Sequence, residues 1–242
     1  MADIKGILFD KDGTLFDFHT SWGRWTLRFL EELAAGNAAK QRVLADALGF
    51  DIDKCRFKAD SRVIAGTPDD IISDLLPHLP GASREGLLQS INHSTATAEM
   101  IEAAPLGPLL RGLLARGLVL GVATNDAEVP ALAHLRAAKI EEHFEYVVGF
   151  DSGYGAKPAP GMCLGFCQKT GLDPSSVVMV GDSRHDLSAG RAAGMKTAAV
   201  LTGVATERDL APFADVVMPH IGHLPAWLED QTKQEERVSI AS

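Results

Sequence analysis

Asp10 and Asp12 stand two apart in Asp10-Lys11-Asp12-Gly13-Thr14-Leu15, directly after the short apolar run Ile7 to Phe9. Two carboxylates at that spacing can divide a phosphoryl transfer between them. One attacks phosphorus to give an aspartyl phosphate, and the other protonates the departing oxygen and later deprotonates water. The division needs a tight turn, which Gly13 permits. An Asp-x-Asp pair on its own is common in solvated loops, so its weight depends on what the rest of the chain adds.

The chain adds two more acids in Val180-Gly181-Asp182-Ser183-Arg184-His185-Asp186, again after an apolar run, Val177 to Val180. Four carboxylates meeting in one crevice would raise one another's pKa values and resist ionisation unless a hard cation sat among them. Magnesium is the economical choice, because it takes oxygen ligands and keeps several waters. A phosphoryl group carrying about two negative charges also needs donors. Thr124, with Asn125 beside it, offers a hydroxyl and a neighbouring backbone N–H at the end of the run Leu118 to Ala123. Lys157, in Gly155-Ala156-Lys157-Pro158, offers a positive point charge. Singly, each has a plainer reading as a turn residue or a solvated lysine.

Positioning such groups calls for parallel strands whose carboxyl ends meet. The continuous apolar runs Ile7–Phe9, Leu118–Ala123, Tyr146–Val148, Val177–Val180, Thr197–Leu201 and Val216–Met218 alternate with helical patterns, which predicts an α/β fold with a buried parallel sheet. Leu106, Leu109, Leu110, Leu113 and Leu114 form a helical stripe closed by Gly117. Residues 17–102 break the alternation. They contain helical patterns and no convincing strand, so they read as an inserted helical cap, with 1–16 and 103–242 forming the core. Within the insertion Trp22, Trp25, Phe29 and Leu33 share a helical face. Thr67-Pro68-Asp69 starts a helix that Ile71, Ile72, Leu75, Leu76 and Leu79 continue. The two crossings near residues 17 and 103 suggest a hinge, and the polar stretch 229–242 a frayed helix or tail.

The 242 residues suffice for a core domain with an insertion. Apolar residues at 46% and charged residues at 23% are globular values, and the formal charge of -9 with no Lys/Arg cluster excludes nucleic acid as a partner class. Cys55, Cys163 and Cys167 form no disulfide framework, and the latter two read as core residues. The chain shows no signal peptide and no run of membrane-spanning length. A cytoplasmic enzyme is therefore the expectation, with no membrane partner. The oligomeric state is not legible.

Taken together, Asp10-x-Asp12-Gly13-Thr14, Thr124, Lys157 and Gly181-Asp182-x-x-x-Asp186, in this order, resemble the four motifs of the haloacid dehalogenase superfamily, and within it the phosphatases related to phosphoglycolate phosphatase. The resemblance covers essentially the whole chain. It implies a Rossmann-like core with a helical cap after the first strand, Asp10 as nucleophile and Asp12 as general acid/base. It further implies Mg2+ held by the carboxylates of Asp10 and Asp182 and the backbone carbonyl of Asp12, with Asp186 acting through a bound water or Lys157. Asp12 argues against the superfamily's dehalogenases and phosphonate hydrolases, whereas a mutase of the β-phosphoglucomutase type shares all four motifs. A catalytically silent phospho-ligand-binding module would be expected to have lost Asp10, Asp12 or Asp182. The best single substrate on this likeness is 2-phosphoglycolate.

Three further residues carry expectations about selectivity. Arg62-Val63-Ile64-Ala65-Gly66-Thr67-Pro68 resembles the cap loop that faces the site in relatives, so Gly66 would let backbone approach the substrate and Arg62 would pair with a carboxylate on it. His19 lies at the hinge, within reach of the substrate or packed as a surface imidazole. His185, inside the last motif, is read as a loop residue.

Overall fold

The computed structural model describes residues 3–58, 60–64 and 66–231, and the expected tail beyond residue 231 lies outside them. The first strand, β1 (Gly6–Phe9), is buried at every position. The chain then leaves the sheet for α1 (Phe18–Ala34), α2 (Ala38–Ala47), the strands β2 (Phe50–Asp51) and β3 (Arg56–Phe57), α3 (Pro68–Leu75) and α4 (Arg84–Thr95). It returns through α5 (Leu106–Ala115), β4 (Val119–Ala123), α6 (Glu128–Ala137), β5 (Tyr146–Val148) and α7 (Gly161–Thr170). The remaining elements are β6 (Val177–Gly181), α8 (Arg184–Ala192), β7 (Lys196–Val200), α9 (Glu207–Leu210) and β8 (Val216–Met218).

Six strands form one parallel sheet in the order β5-β4-β1-β6-β7-β8. Every apolar run read as a strand is in it. Because β1 sits between β4 and β6, connections leave it in opposite directions and a crevice opens beyond the strands' carboxyl ends. Ile7, Phe9, Val122, Val178 and Val180 pack on one face against Leu106, Leu110 and Leu113 of α5. Leu8 and Met179 pack on the other face against Met162, Cys163, Phe166 and Cys167. The two α7 cysteines are thus core residues, and burial pushes the Cys163 thiol up to about 12.

The insertion has its own apolar cluster, with Phe29 and Leu30 of α1, Leu44 of α2, Ile72 and Leu75 of α3 and Leu87 and Ile91 of α4 at its centre. Two details differ from the sequence expectation. Strands β2 and β3 pair antiparallel, Phe50 with Phe57 and Asp51 with Arg56, where no strand was expected. Two-residue strands are too short to show a period, and the turn between them is held by Asp51, whose carboxylate accepts from the Lys54 N–H at 3.0 Å. Helix α3 begins at Pro68 after Thr67 as expected, with a Thr67/Asp70 capping box in addition, stops at Leu75 and gives way to a 3-10 turn over Leu76–His78. Pro77 lacks the N–H that would continue the α-helical ladder.

The two crossings run side by side: the Asp17 N–H donates to the Ile101 carbonyl at 2.8 Å, and the Ala103 N–H to the Leu15 carbonyl at 2.9 Å. Asp17 also caps α1 by accepting from the Thr20 N–H at 2.8 Å. No helix among the described residues is long and apolar enough to cross a membrane.

Candidate active site

Asp10 follows β1, Thr124 follows β4 and Asp182 follows β6, so adjacent parallel strands deliver all three to one crevice. Lys157 reaches it from the loop after β5. Its ammonium donates to Asp10 Oδ1 at 2.6 Å and to the Ala123 carbonyl at 2.7 Å, and pairs with Asp186 Oδ1 at 2.6 Å. The backbone of Lys157 is fixed in turn by Asn125, whose side-chain oxygen accepts from the Lys157 N–H at 2.8 Å while its amide donates to the Lys157 carbonyl at 3.0 Å. Asp186 caps α8: its Oδ2 accepts from the backbone N–H and hydroxyl of Ser183 at 2.9 and 2.6 Å. Thr124 is buried, and its hydroxyl accepts from the Asp126 N–H at 3.1 Å.

Asp10, Asp182 and Asp186 are each buried, and one carboxylate oxygen from each lies within 4.8 Å of the others. Burial, the largest cause, pushes Asp10 up to about 7; Lys157 opposes the shift, and Asp186 and Asp12 add to it. Asp182 is raised well above the carboxylate range by burial and then by Asp186 and Asp10. Lys157 shifts the other way from what burial alone would give, because Asp10 and Asp186 outweigh the desolvation. One ammonium among three desolvated carboxylates leaves negative charge uncompensated, and the all-oxygen donor set fits a hard divalent cation. The backbone closes tightly around it. Gly13 has φ +80°, and a Cβ there or at Gly203 would collide with the Asp182 carboxylate.

Asp12 turns toward the insertion. Its Oδ1 accepts from the Trp22 indole N–H and from the Lys11 ammonium, each at 2.8 Å. Lys11 is fully buried and also pairs with Asp126 at 3.2 Å and with His134 Nδ1 at 3.0 Å. Desolvation of Lys11 is outweighed by Asp12 and Asp126, so it stays protonated and donates to Nδ1. The His134 ring therefore carries its proton on Nε2, which donates to the Thr95 carbonyl at the end of α4. Burial, then the Lys11 charge, holds His134 down to about 4. Two bonds, Trp22 to Asp12 and His134 to Thr95, thus join insertion and core above the site.

Above the carboxylates a cleft opens between core and insertion. Its floor is Asp10, Asp12, Asp126, Lys157, Asp182 and Asp186, and its roof carries the rings of Phe18, Trp22, Trp25 and Phe57. Val63, Ile64, Ile71 and Ile91 complete the roof, with Gly66 and Thr67 at its edge.

Residues 7–200 match the haloacid dehalogenase-like hydrolase family. The chain belongs to that family. A phosphoglycolate phosphatase of Nitrosospira multiformis is 29% identical over 219 residues, covering 90% of this chain and 92% of the relative. The pyrophosphatase PpaX of Bacillus pumilus is 28% identical over 209 residues, covering 86% and 88%. Among solved structures, CbbY from Rhodobacter sphaeroides in complex with phosphate superposes with a TM-score of 0.69 at 19% identity, over 91% of this chain and 96% of that one, a likeness of fold.

Of the residues that the haloacid dehalogenase-like motifs single out, the structure gathers Asp10, Asp12, Thr124, Asn125, Lys157, Asp182 and Asp186 in one cleft, together with Gly66 and His185. Arg62 and His19 are not in its lining. The Arg62 side chain is 65% exposed, and its guanidinium is engaged by Asp74 at 3.0 Å and Asp70 at 3.4 Å. His19 lies against Phe18, edge to face at 6.1 Å, and burial, followed by the Arg56 charge, lowers its pKa. Sequence reasoning missed Lys11, Asp126 and His134. Lys11 carried a signal, since it stands between two acids after the first strand, although of the two it pairs with Asp12. His134 carried none, since nothing in the helix Glu128–Ala137 marks it apart from the other polar residues there, Glu128 and Arg136.

Proposed function

We propose that this haloacid dehalogenase-like hydrolase is a magnesium-dependent phosphatase that hydrolyses a small phosphomonoester through an aspartyl phosphate on Asp10. The observation that supports this most is the placement of Lys157 across Asp10 and Asp186, beneath a floor of buried carboxylates at the ends of adjacent parallel strands. The Asp10 carboxylate attacks phosphorus, the bond from phosphorus to the ester oxygen breaks, and Asp12 gives that oxygen a proton. Asp12 then takes a proton from water as the water oxygen bonds to phosphorus. The acyl-phosphate P–O bond breaks, freeing inorganic phosphate and restoring Asp10. Lys157 favours the ionised, nucleophilic form of Asp10, and Thr124 with the N–H groups beside it offers donors to the phosphoryl oxygens. Magnesium would be held by the carboxylates of Asp10 and Asp182 and the carbonyl of Asp12, and would supply positive charge to phosphoryl oxygens. Asp186, its oxygens taken by Lys157 and Ser183, acts from behind by holding Lys157.

The test is release of inorganic phosphate from a chromogenic aryl phosphate, expected with magnesium and abolished by a chelator. Asp10→Asn should lower turnover by about 10⁴-fold or more. Turnover that survives this substitution would falsify the covalent route. Phosphate released in step with the alcohol separates hydrolysis from a mutase, which retains the phosphoryl group. The relatives' names bring 2-phosphoglycolate as the reference substrate, with pyrophosphate second.

A further inference from the structure

The roof of the cleft differs from what a phosphorylated acid requires. A second anion on the substrate, such as the carboxylate of 2-phosphoglycolate, needs a cation or an array of free donors facing it. Among the described lining residues the only lysine or arginine is Lys157, and its ammonium is spent on Asp10, Asp186 and the Ala123 carbonyl. Arg56, Arg62 and Arg184 each adjoin a lining residue in sequence, but none lines the cleft; Arg62 is held by Asp70 and Asp74, and Arg184 by Asp209. The floor already carries five carboxylates, which would repel an added negative charge.

The polar atoms of the roof are committed as well. Trp22 gives its indole N–H to Asp12, and Trp25 gives its own to the Ser94 hydroxyl at 3.1 Å. The Thr67 hydroxyl is bonded to Asp70 and that of Thr95 to the Ile91 carbonyl. What remains toward the cleft is carbon: two indole rings at right angles with centroids 5.3 Å apart, two phenyl rings, and the branched side chains of Ile64 and Ile71. The Thr26 hydroxyl, buried and without a protein partner, is the exception. A lining of this kind matches sites that enclose a mostly apolar ligand.

Resting on the phosphatase reading above, we infer that the substrate is a phosphomonoester of an uncharged, apolar alcohol, whose hydrocarbon leaving group packs between the α1 aromatic rings and the 3-10 turn Arg62–Ile64. Apolar contact then supplies the binding energy that relatives acting on acids would draw from a cation.

The experiment is a kcat/KM series on the intact, magnesium-loaded enzyme with ethyl, butyl and hexyl phosphate, benzyl phosphate and 2-phosphoglycolate. The alkyl leaving groups have nearly equal basicity, so a trend among them reports contact and not chemistry. The expected gain is roughly threefold to fourfold per added methylene until the roof is filled. Hexyl and benzyl phosphate should exceed 2-phosphoglycolate at least about tenfold. Ile64→Lys, at a partly buried position on the edge of the insertion's apolar cluster, should flatten the alkyl slope and shift the ratio toward 2-phosphoglycolate by about tenfold or more. A flat alkyl series, or 2-phosphoglycolate as the best ester, overturns the inference and leaves the phosphatase standing. No phosphate from any ester, nor from the aryl phosphate, overturns both.

Discussion

The floor and the roof of the cleft were built by different physics. The floor is a set of charges fixed at strand ends, on the first turn of α8 and in the loop after β5: Asp10, Asp182, Asp186 and Lys157 are all nearly buried, and each is held by a short bond to a neighbour or by a glycine with no room for a side chain. The roof is an apolar surface contributed by α1, α3, α4, the strand β3 and the turn that carries Val63 and Ile64, with its indole N–H groups turned away. Charges can be placed in low dielectric only where their partners are specified residue by residue, whereas an apolar wall needs only bulk and shape. Chemistry is thus confined to positions that tolerate no exchange, and selection to positions that tolerate many.

The sharpest way to break this contrast is Lys157→Met. The floor then has buried carboxylates with no ammonium, so stability should fall by about 3–5 kcal/mol, read as a lower urea midpoint in the metal-free protein. Turnover should fall by roughly 10²–10³-fold even with magnesium present. If the midpoint is unmoved, the lysine is not the compensation that holds the floor together.

The junction of floor and roof makes the next prediction. His134 is neutral in the fold and sits between the Lys11 ammonium, the Thr95 carbonyl of α4, the Trp22 ring of α1 and, across Lys11, the Asp12 charge. Its pKa is pushed down to about 4 from the ordinary 6.5, so the folded state binds fewer protons than the unfolded one between those values. Its contribution is present in full above pH 6.5 and is lost as pH falls toward 4, at a cost on the order of 3 kcal/mol. His134→Gln keeps an acceptor and a donor but cannot titrate. Its stability should fall less steeply across that window than the parent's, and parallel curves would remove His134 from the junction.

How much of this was legible follows from the same contrast. The apolar runs announced every strand of the sheet, because strands buried on both faces have no choice of composition. Asp10, Asp12, Lys157 and Asp182 could be found because rare residue types recur at strand ends. Lys11 was missed because its burial depends on Asp126 and His134, more than a hundred residues away in sequence. The roof was missed for another reason: Trp22, Trp25 and Phe29 on one helical face predict burial equally well against a core or against a ligand. Trp25 does both, stacking on Phe29 at 5.0 Å while lining the cleft.

Trp22 offers a finer probe, because it belongs to the roof and yet touches the floor. Trp22→Phe keeps an aromatic ring and removes the N–H that holds Asp12 Oδ1. Turnover of alkyl phosphates, whose leaving oxygen must be protonated, should fall about tenfold. Aryl phosphates, whose leaving group departs with less help, should lose much less. An equal loss on both would mean that the ring acts through packing and does not position Asp12.

The smallest expected effect concerns Arg62, which lies beside the roof in sequence but outside it in space. If selectivity for a substrate carboxylate resided there, Arg62→Ala would lower kcat/KM for 2-phosphoglycolate and leave alkyl phosphates alone. The Arg62 side chain is 65% exposed and engaged by Asp70 and Asp74, so the substitution instead removes two solvent-screened ion pairs along α3. Exposed pairs of this kind contribute at most about 1 kcal/mol, and often nothing measurable. The expected outcome is a melting temperature within a few degrees of the parent and an unchanged ratio of hexyl phosphate to 2-phosphoglycolate turnover. A selective loss on 2-phosphoglycolate would show that the loop swings inward when substrate binds. The contrast between an ionic floor and an uncharged roof would then hold only for the empty cleft.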